Sequence, residues 1–260
     1  MTIPRIYSPE SLEKKTSCEL GADNLHYLKQ VMRLKQGDRI HVFDGFGCAF
    51  EATIKLFSEK TVIADLGKAL PAMKKDIQIT LAQAIPKAKK MDGIVKSAAE
   101  LGADIIIPFE AARSIGHITR EKSPAKVTRW QKIAMEAARS SHSTHITQVD
   151  RVLSFAEMIS SAPEKSLKLI FWEEESQKTI RDVLTDRNHD AVKNFFIVVG
   201  PEGGFSKDEV EKAKNAGCLS VTLGKQILKV ETAAAAILTM IQYERGFFGK
   251  KSQEGKNDFL

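Results

Sequence analysis

Residues 26–34 place Tyr27, Leu28, Val31, Met32 and Leu34 on one broad helical face, and the polar run Lys35, Gln36, Gly37, Asp38 closes that helix. Over 39–66 the period shortens. β-branched and aromatic residues come in short runs, broken by turn signals at Asp44-Gly45 and around Ser58, Glu59 and Lys60, which predicts antiparallel β-structure. Residues 1–72 therefore read as a small β-barrel with one helix. The stretch 70–76 loses the strand pattern and contains Pro71, so it is the expected linker.

From residue 77 the rhythm becomes strand, helix, strand. Apolar runs at 77–84, 104–108, 167–172, 195–199 and 219–223 predict strands, and 88–101, 127–139 and a long stretch after 232 predict helices. In 88–101, Met91, Ile94, Val95, Ala98 and Leu101 share one face while Lys89, Asp92, Lys96 and Glu100 share the other, and Gly102 closes the helix. Such alternation argues an α/β class with a mostly parallel sheet covered on both faces, spanning 73–250. Residues 251–260 lack periodicity and are expected to form a flexible tail.

Composition narrows the functional classes. With 43% hydrophobic and 28% charged residues in 260, the chain is globular, neither collagen-like nor disordered. Lys and Arg number 39 against 33 Asp and Glu, a formal charge of +6 that biases the expected partners towards polyanions such as nucleic acid. Cys18, Cys48 and Cys218 are odd in number and scattered, which implies neither a disulfide framework nor a CxxC metal site and points to the cytoplasm. Pro4, Arg5 and Pro9 interrupt any leader-like apolar run. The longest apolar stretch, 232–241, is well short of the ~20 residues that span a bilayer, so no membrane segment is expected.

The strongest chemical signal is FFIVVGPEGGFSKDE at 195–209, a buried-strand pattern running into a glycine turn and then a helix opened by the capping box Ser206/Glu209. Ligands of parallel sheets sit at such carboxyl ends. A second strand runs into Gly224 within VTLGKQILKVETA at 221–233, with Thr232 as the expected N-cap of the last helix. Phe171 and Trp172, followed by three glutamates, end a third strand. Two glycine turns from neighbouring strands could wall one pocket, although each also fits an ordinary strand-to-helix connection. Neither GxxxxGK[ST] nor a helix-opening GxGxxG is present, so ATP hydrolysis and Rossmann dinucleotide binding lack a signal. His142 and His145 have HxxH spacing but no third ligand nearby, and no metal is expected.

GPEGGFS followed by LGKQILKVETAAAA resembles the paired signature of the RsmE family, the 16S ribosomal RNA uracil-N3 methyltransferases of the SPOUT superfamily. HYLKQVMRLKQGDRIHVFD at 26–44, QAIPKAKKMDGIVKSAAE at 83–100 and RWQKIAMEAA at 129–138 are similar to other parts of that family, in the same order. The resemblance implies a PUA-like barrel and a SPOUT domain with a carboxy-terminal trefoil knot. It also implies S-adenosylmethionine as methyl donor, 16S ribosomal RNA of the small subunit as substrate, and a homodimer. Pattern reasoning alone predicts an unthreaded sheet.

On this reading Phe171, Gly200, Pro201, Glu202, Gly203, Gly204, Leu223, Gly224, Ile227, Leu228, Thr232 and Ala233 hold the donor. Glu231 and Glu202 are candidate proton acceptors, and Arg139 a candidate stabiliser of the uracil anion. Arg5, Arg33, Lys35, Lys87, Lys89, Lys90 and Arg113 would contribute a charged face for RNA. The chain departs from the family where an acidic residue, Gln, a small residue and Gly-Arg usually follow the helix. Here Arg139, Ser140, Ser141, His142 and Ser143 stand there, and Lys229 replaces a second arginine. The alternatives are a non-enzymatic RNA-binding or ribosome-assembly protein, or a SPOUT methyltransferase with another RNA target.

Overall fold

The computed structural model describes residues 3–72, 75–115, 121–245 and 248. The expected tail at 251–260 lies outside the described residues. The chain divides into two compact units, one of residues 1–74 and 132–147, the other of 75–131 and 148–260.

The first unit contains β1 (Arg5–Tyr7), β2 (Ser17–Leu20), α1 (Ala22–His26), β3 (Arg39–Phe43), β4 (Ala49–Phe57) and β5 (Val62–Ala69). Its sheet runs β1-β3-β4-β5-β2, antiparallel as predicted except that β1 lies parallel to β3. Ile6 of one edge strand and Cys18 and Leu20 of the other pack into the same core with Ile40, Val42, Ile54 and Val62, so the sheet curls around it. The turn after β3 is pinned by a buried carboxylate: Asp44 accepts from the amides of Leu12, Phe46 and Cys48 at 2.8–3.0 Å.

The helix read at 26–34 differs. It begins as α1 at Ala22 and ends in a single π-helical turn over Tyr27–Val31, in which Met32 N donates to Tyr27 O. The wider turn buries Leu28 and leaves Val31 exposed, contrary to a regular helical stripe.

In the second unit seven parallel strands follow the order β12-β10-β11-β6-β7-β8, with β9 also on β7. They are β6 (Gln78–Ala84), β7 (Ile105–Glu110), β8 (Gln148–Val149), β9 (Leu153–Ser154), β10 (Leu167–Phe171), β11 (Asn194–Val199) and β12 (Leu219–Val221). The helices are α2 (Lys90–Glu100), α4 (Phe155–Ser160), α5 (Ile180–Leu184), α6 (Lys207–Asn215) and α7 (Val230–Glu244), while α3 (Ser123–Ser140) carries the chain from the second unit into the first. Consecutive residues of β6 and β11 are buried, so both faces of the sheet are covered. Ala82, Ile107, Ile170, Phe196 and Val198 pack with Phe205, Val210 and Ala213 into one core layer. The two-residue strands β8 and β9 and the short α4 and α5 carry too little periodicity to be read from sequence. No helix among the described residues is long and apolar enough to cross a membrane.

Candidate active site

Strands β10, β11 and β12 lie side by side, so their carboxyl ends deliver three loops to one place. There they wall a cavity of about 730 Å³. Phe171, Gly200, Pro201, Glu202, Gly203, Gly204, Leu223, Gly224, Ile227, Leu228 and Ala233 all line it. Thr232 does not. The N-cap of α7 is Lys229, with no side-chain cap bond, so Thr232 lies inside the first turn with its side chain exposed. Lys225 and Gln226, inside the 223–228 segment, line it too, as do Ser176, Thr179 and Thr222, which sequence reasoning did not single out. The signal for two of them is local: Thr179 caps α5, and Thr222 Oγ1 accepts from Gly224 N at 3.2 Å, forming the turn before the glycine.

The loop after β11 is shaped by glycine in a checkable way. Gly204 has φ +65°, and a Cβ there would collide with the Glu173 carboxylate. Gly224 has φ +116° with nothing near the Cβ position, so only its backbone conformation demands glycine. Ser206 and Glu209 form the capping box that fixes where α6 begins, and Glu209 Oε1 also accepts from Ala112 N at 2.8 Å, tying the loop after β7 to it. Arg113 Nη1 donates to Gly203 O at 3.1 Å.

The chemistry of the wall is mixed. Its floor is apolar, from Phe171, Val199, Val221, Leu228 and Val230, while Glu173, Glu175 and Glu202 outnumber Lys225 and make the remainder of the lining net acidic. Trp172 Nε1 is a buried donor without a hydrogen-bond partner in the structure. A net acidic lining beside an apolar floor suits a cationic ligand with a flat heteroaromatic part.

Lys90 joins the loop of Glu202 to the start of α7. Its Nζ is 2.9 Å from Glu202 Oε1 and 3.6 Å from Glu231 Oε2. Lys87 N donates to both Glu202 oxygens at 3.3 and 3.1 Å. Burial alone would raise the Glu202 carboxyl, but the hydrogen bonds from Lys90 and from backbone amides outweigh it and hold the group below the ordinary carboxylate range. Bonding to Glu202 in turn raises Lys90. Glu231 Oε2 is buried and has no hydrogen bond, only the longer ion pair.

Lys90, read as one of the RNA-facing cations, is thus committed to two carboxylates, whereas Lys87, Lys89 and Arg113 in this unit and Arg33 and Lys35 in the first are exposed. Arg139 belongs to the first unit and does not line this cavity. Its guanidinium is held by Glu136 and lies 5.8 Å from the Tyr27 ring centroid. Arg5, read as part of the charged face, is only 6% exposed. No group of three His, Cys, Asp or Glu is arranged for a metal ion among the described residues.

At the departures after α3, His142 sits at φ +58°, the left-handed position for which glycine is the usual choice. Ser143 uses its hydroxyl locally, accepting from His145 N at 3.1 Å and donating to His145 O at 2.7 Å.

Comparison with known proteins agrees with this geometry. Residues 73–242 match the model of an RNA methyltransferase domain and 20–66 that of an RNA methyltransferase PUA domain. The chain is 30% identical over 245 residues to ribosomal RNA small subunit methyltransferase E of Bacillus subtilis (strain 168), covering 90% of this chain and 93% of the relative. It is also 30% identical over 247 residues to that of Buchnera aphidicola subsp. Acyrthosiphon pisum, covering 95% of each. Among solved structures, ribosomal RNA small subunit methyltransferase E from Neisseria gonorrhoeae, bound to S-adenosyl methionine, superposes with a TM-score of 0.82 at 29% identity, covering 93% of this chain and 98% of the other. A methyltransferase structure from Legionella pneumophila, in complex with the same cofactor, gives the same score and identity, covering 94% and 98%.

Proposed function

Because this chain belongs to the ribosomal RNA small subunit methyltransferase E family, we propose that it methylates 16S ribosomal RNA of the small subunit at N3 of a uracil, with S-adenosylmethionine as donor. The single observation that carries the reading is the convergence of two glycine turns, 200–204 and 223–228, on one cavity at the carboxyl ends of adjacent strands. The residues present fit the donor: the apolar floor takes an adenine, the net acidic remainder of the lining takes a positively charged sulfonium, and the orphan Trp172 N–H offers a hydrogen bond. When bound, S-adenosylmethionine supplies a methyl group that is already strongly electrophilic.

The chain's own residues then have three tasks. The loops hold the reacting groups in line, a service worth ~7–11 kcal/mol in favourable cases. The target base is met out of its stack. The N3 proton goes to a carboxylate, and Glu231 is the candidate, because it has only the longer 3.6 Å pair with Lys90, whereas Glu202 is bonded to Lys90 at 2.9 Å and by both oxygens to the Lys87 amide. Lys90 orients Glu231 through their 3.6 Å ion pair.

The same reading includes a trefoil knot, a homodimer and action in the cytoplasm. The knot reading is supported by β12 pairing with the side of β10 away from β11, and by the parallel bridge that joins the segments after these two strands: Thr222 N donates to Lys178 O and Ile180 N to Thr222 O. Self-association is supported by α7, which exposes Met240 and Tyr243.

The test is methyl transfer from labelled S-adenosylmethionine to small subunits from a strain lacking this enzyme, with mapping of the modified nucleoside. N3-methyluridine at one site is expected, made far more slowly by Glu231→Gln. Methylation of a ribose hydroxyl, or none, refutes the reading.

A further inference from the structure

The first unit contains its own cavity, of about 580 Å³, between β1, α1 with the turn that follows it, and the end of α3. Arg5, Tyr7, Asn24, Tyr27, Glu136 and Arg139 line it. We propose that this cavity binds one unstacked nucleotide of single-stranded RNA. The proposal deepens the RNA-substrate reading above and depends on it only for the identity of the RNA.

The first argument is Arg5. Its side chain lies in a residue only 6% exposed. One guanidinium nitrogen donates to Ser143 O at 2.7 Å, the group sits 4.5 Å from the Phe43 ring centroid, and Nε is buried without a partner. No carboxylate is paired with it among the ion pairs of the described residues. Burial lowers this guanidinium to about 10. A desolvated cation without a counter-ion is costly, and an apolar side chain of similar length would fill the space at no such cost. Its presence in a cavity wall calls for an anion from outside the chain.

The second argument is the rest of the wall. Tyr7, backed by Phe43 at 5.7 Å between ring centroids, and the Arg139 guanidinium over Tyr27 give flat surfaces for stacking. Asn24 spends one amide N–H on Tyr7 O at 3.2 Å, which leaves its carbonyl oxygen and second N–H for a base edge, while both Glu136 oxygens are engaged in fixing the Arg139 guanidinium. Phosphate-binding cation, stacking surfaces and an amide for the base edge together describe a nucleotide. Inorganic phosphate would leave the aromatic surfaces unused, an aliphatic ligand would strand the polar groups, and a paired base cannot enter.

The experiment uses the full chain and a short fluorescein-labelled single-stranded RNA of mixed sequence, with the matching duplex as control, read by anisotropy over a range of salt. Tyr27→Ala is expected to raise Kd for the single strand about tenfold while leaving its salt slope and the duplex affinity unchanged. Arg5→Met is expected to reduce the slope of log K against log salt by about 0.7, the loss of one phosphate contact. Circular dichroism and thermal unfolding check that each variant is folded, calorimetry with S-adenosylmethionine that its other cavity is intact, and if Arg5→Met fails either check, Tyr27→Ala and Arg139→Gln decide. Wild-type single-strand affinity in Tyr27→Ala and Arg139→Gln, or equal weakening of single strand and duplex, overturns the proposal. If these variants bind normally while the wild-type chain methylates small subunits, this cavity's role fails and the enzymatic reading stands. Should the variants weaken binding while no methylation occurs, the reverse holds.

Discussion

Gly204 offers the sharpest test of the loop geometry. Placing an alanine at φ +65° costs about 1–2 kcal/mol, because Cβ crowds the following carbonyl. The added methyl group also meets the Glu173 carboxylate, but that is the free end of an exposed side chain and swings away, so the backbone term dominates. The cost must appear somewhere. If the turn holds its shape in Gly204→Ala, the fold loses the full amount and Tm falls by about 2–4 °C for each kcal/mol. If the turn relaxes, Tm stays and the cost falls on ligand binding, raising Kd for S-adenosylmethionine by about 5–30-fold at 1.4 kcal/mol per factor of ten. The sum of the two losses, measured by scanning calorimetry and by titration calorimetry on the same preparation, should reach about 1–2 kcal/mol. Gly204→Asn should recover a good part of it, because asparagine tolerates the left-handed region. Wild-type values of both Tm and Kd in the alanine variant, or an asparagine variant worse than alanine, would refute the reasoning.

Gly93, exposed within α2 with open space at its Cβ position, should behave oppositely: Gly93→Ala is expected to stabilise by about 0.5–1 kcal/mol, read as a rise in Tm. Lys90→Met cuts the link between Glu202 and Glu231, so it should weaken S-adenosylmethionine binding severalfold in calorimetry; a changed RNA salt slope with unchanged cofactor affinity would return Lys90 to the RNA face. Because Glu202 is held below its unfolded value, its contribution is complete above the ordinary carboxylate pKa of about 4.3 and is lost as pH falls through the depressed value. Acid unfolding of Glu202→Gln should accordingly show a shallower pH dependence than wild type below that point, and an identical profile would remove Glu202 from the account. Ser206→Ala, which deletes the cap of α6, should cost about 1 kcal/mol in denaturant unfolding.

The parts of this molecule that sequence revealed are those in which a residue's neighbours along the chain are also its physical environment. The run Phe195 to Val199 is buried on both faces, so it is apolar without alternation, and the glycines after it mark the turn directly. Ser206 and Glu209 announce their helix because the cap bond is three residues long. Elsewhere the relevant contact is distant. Nothing around Lys90 indicates that Glu202 and Glu231 will meet it, and by composition it is another cation beside Lys87 and Lys89. Arg5 looks like surface charge beside two prolines, and only the carbonyl of Ser143 and the ring of Phe43 explain its burial. The pattern in α3 gives no sign that residues 132–147 pack with the first unit, because an apolar stripe records that a face is covered and not by what. The π-helical turn at Tyr27–Val31 defeats a regular helical count by changing the number of residues per turn.

The placement of the large cavity has a consequence for biosynthesis. Residues 221–233, which close it, leave the ribosome after every strand that frames the other walls. A nascent or prematurely terminated chain can build β6, β7, β10 and β11 and still hold nothing there. Protection from proteolysis by the small molecule therefore marks only molecules extended past residue 233.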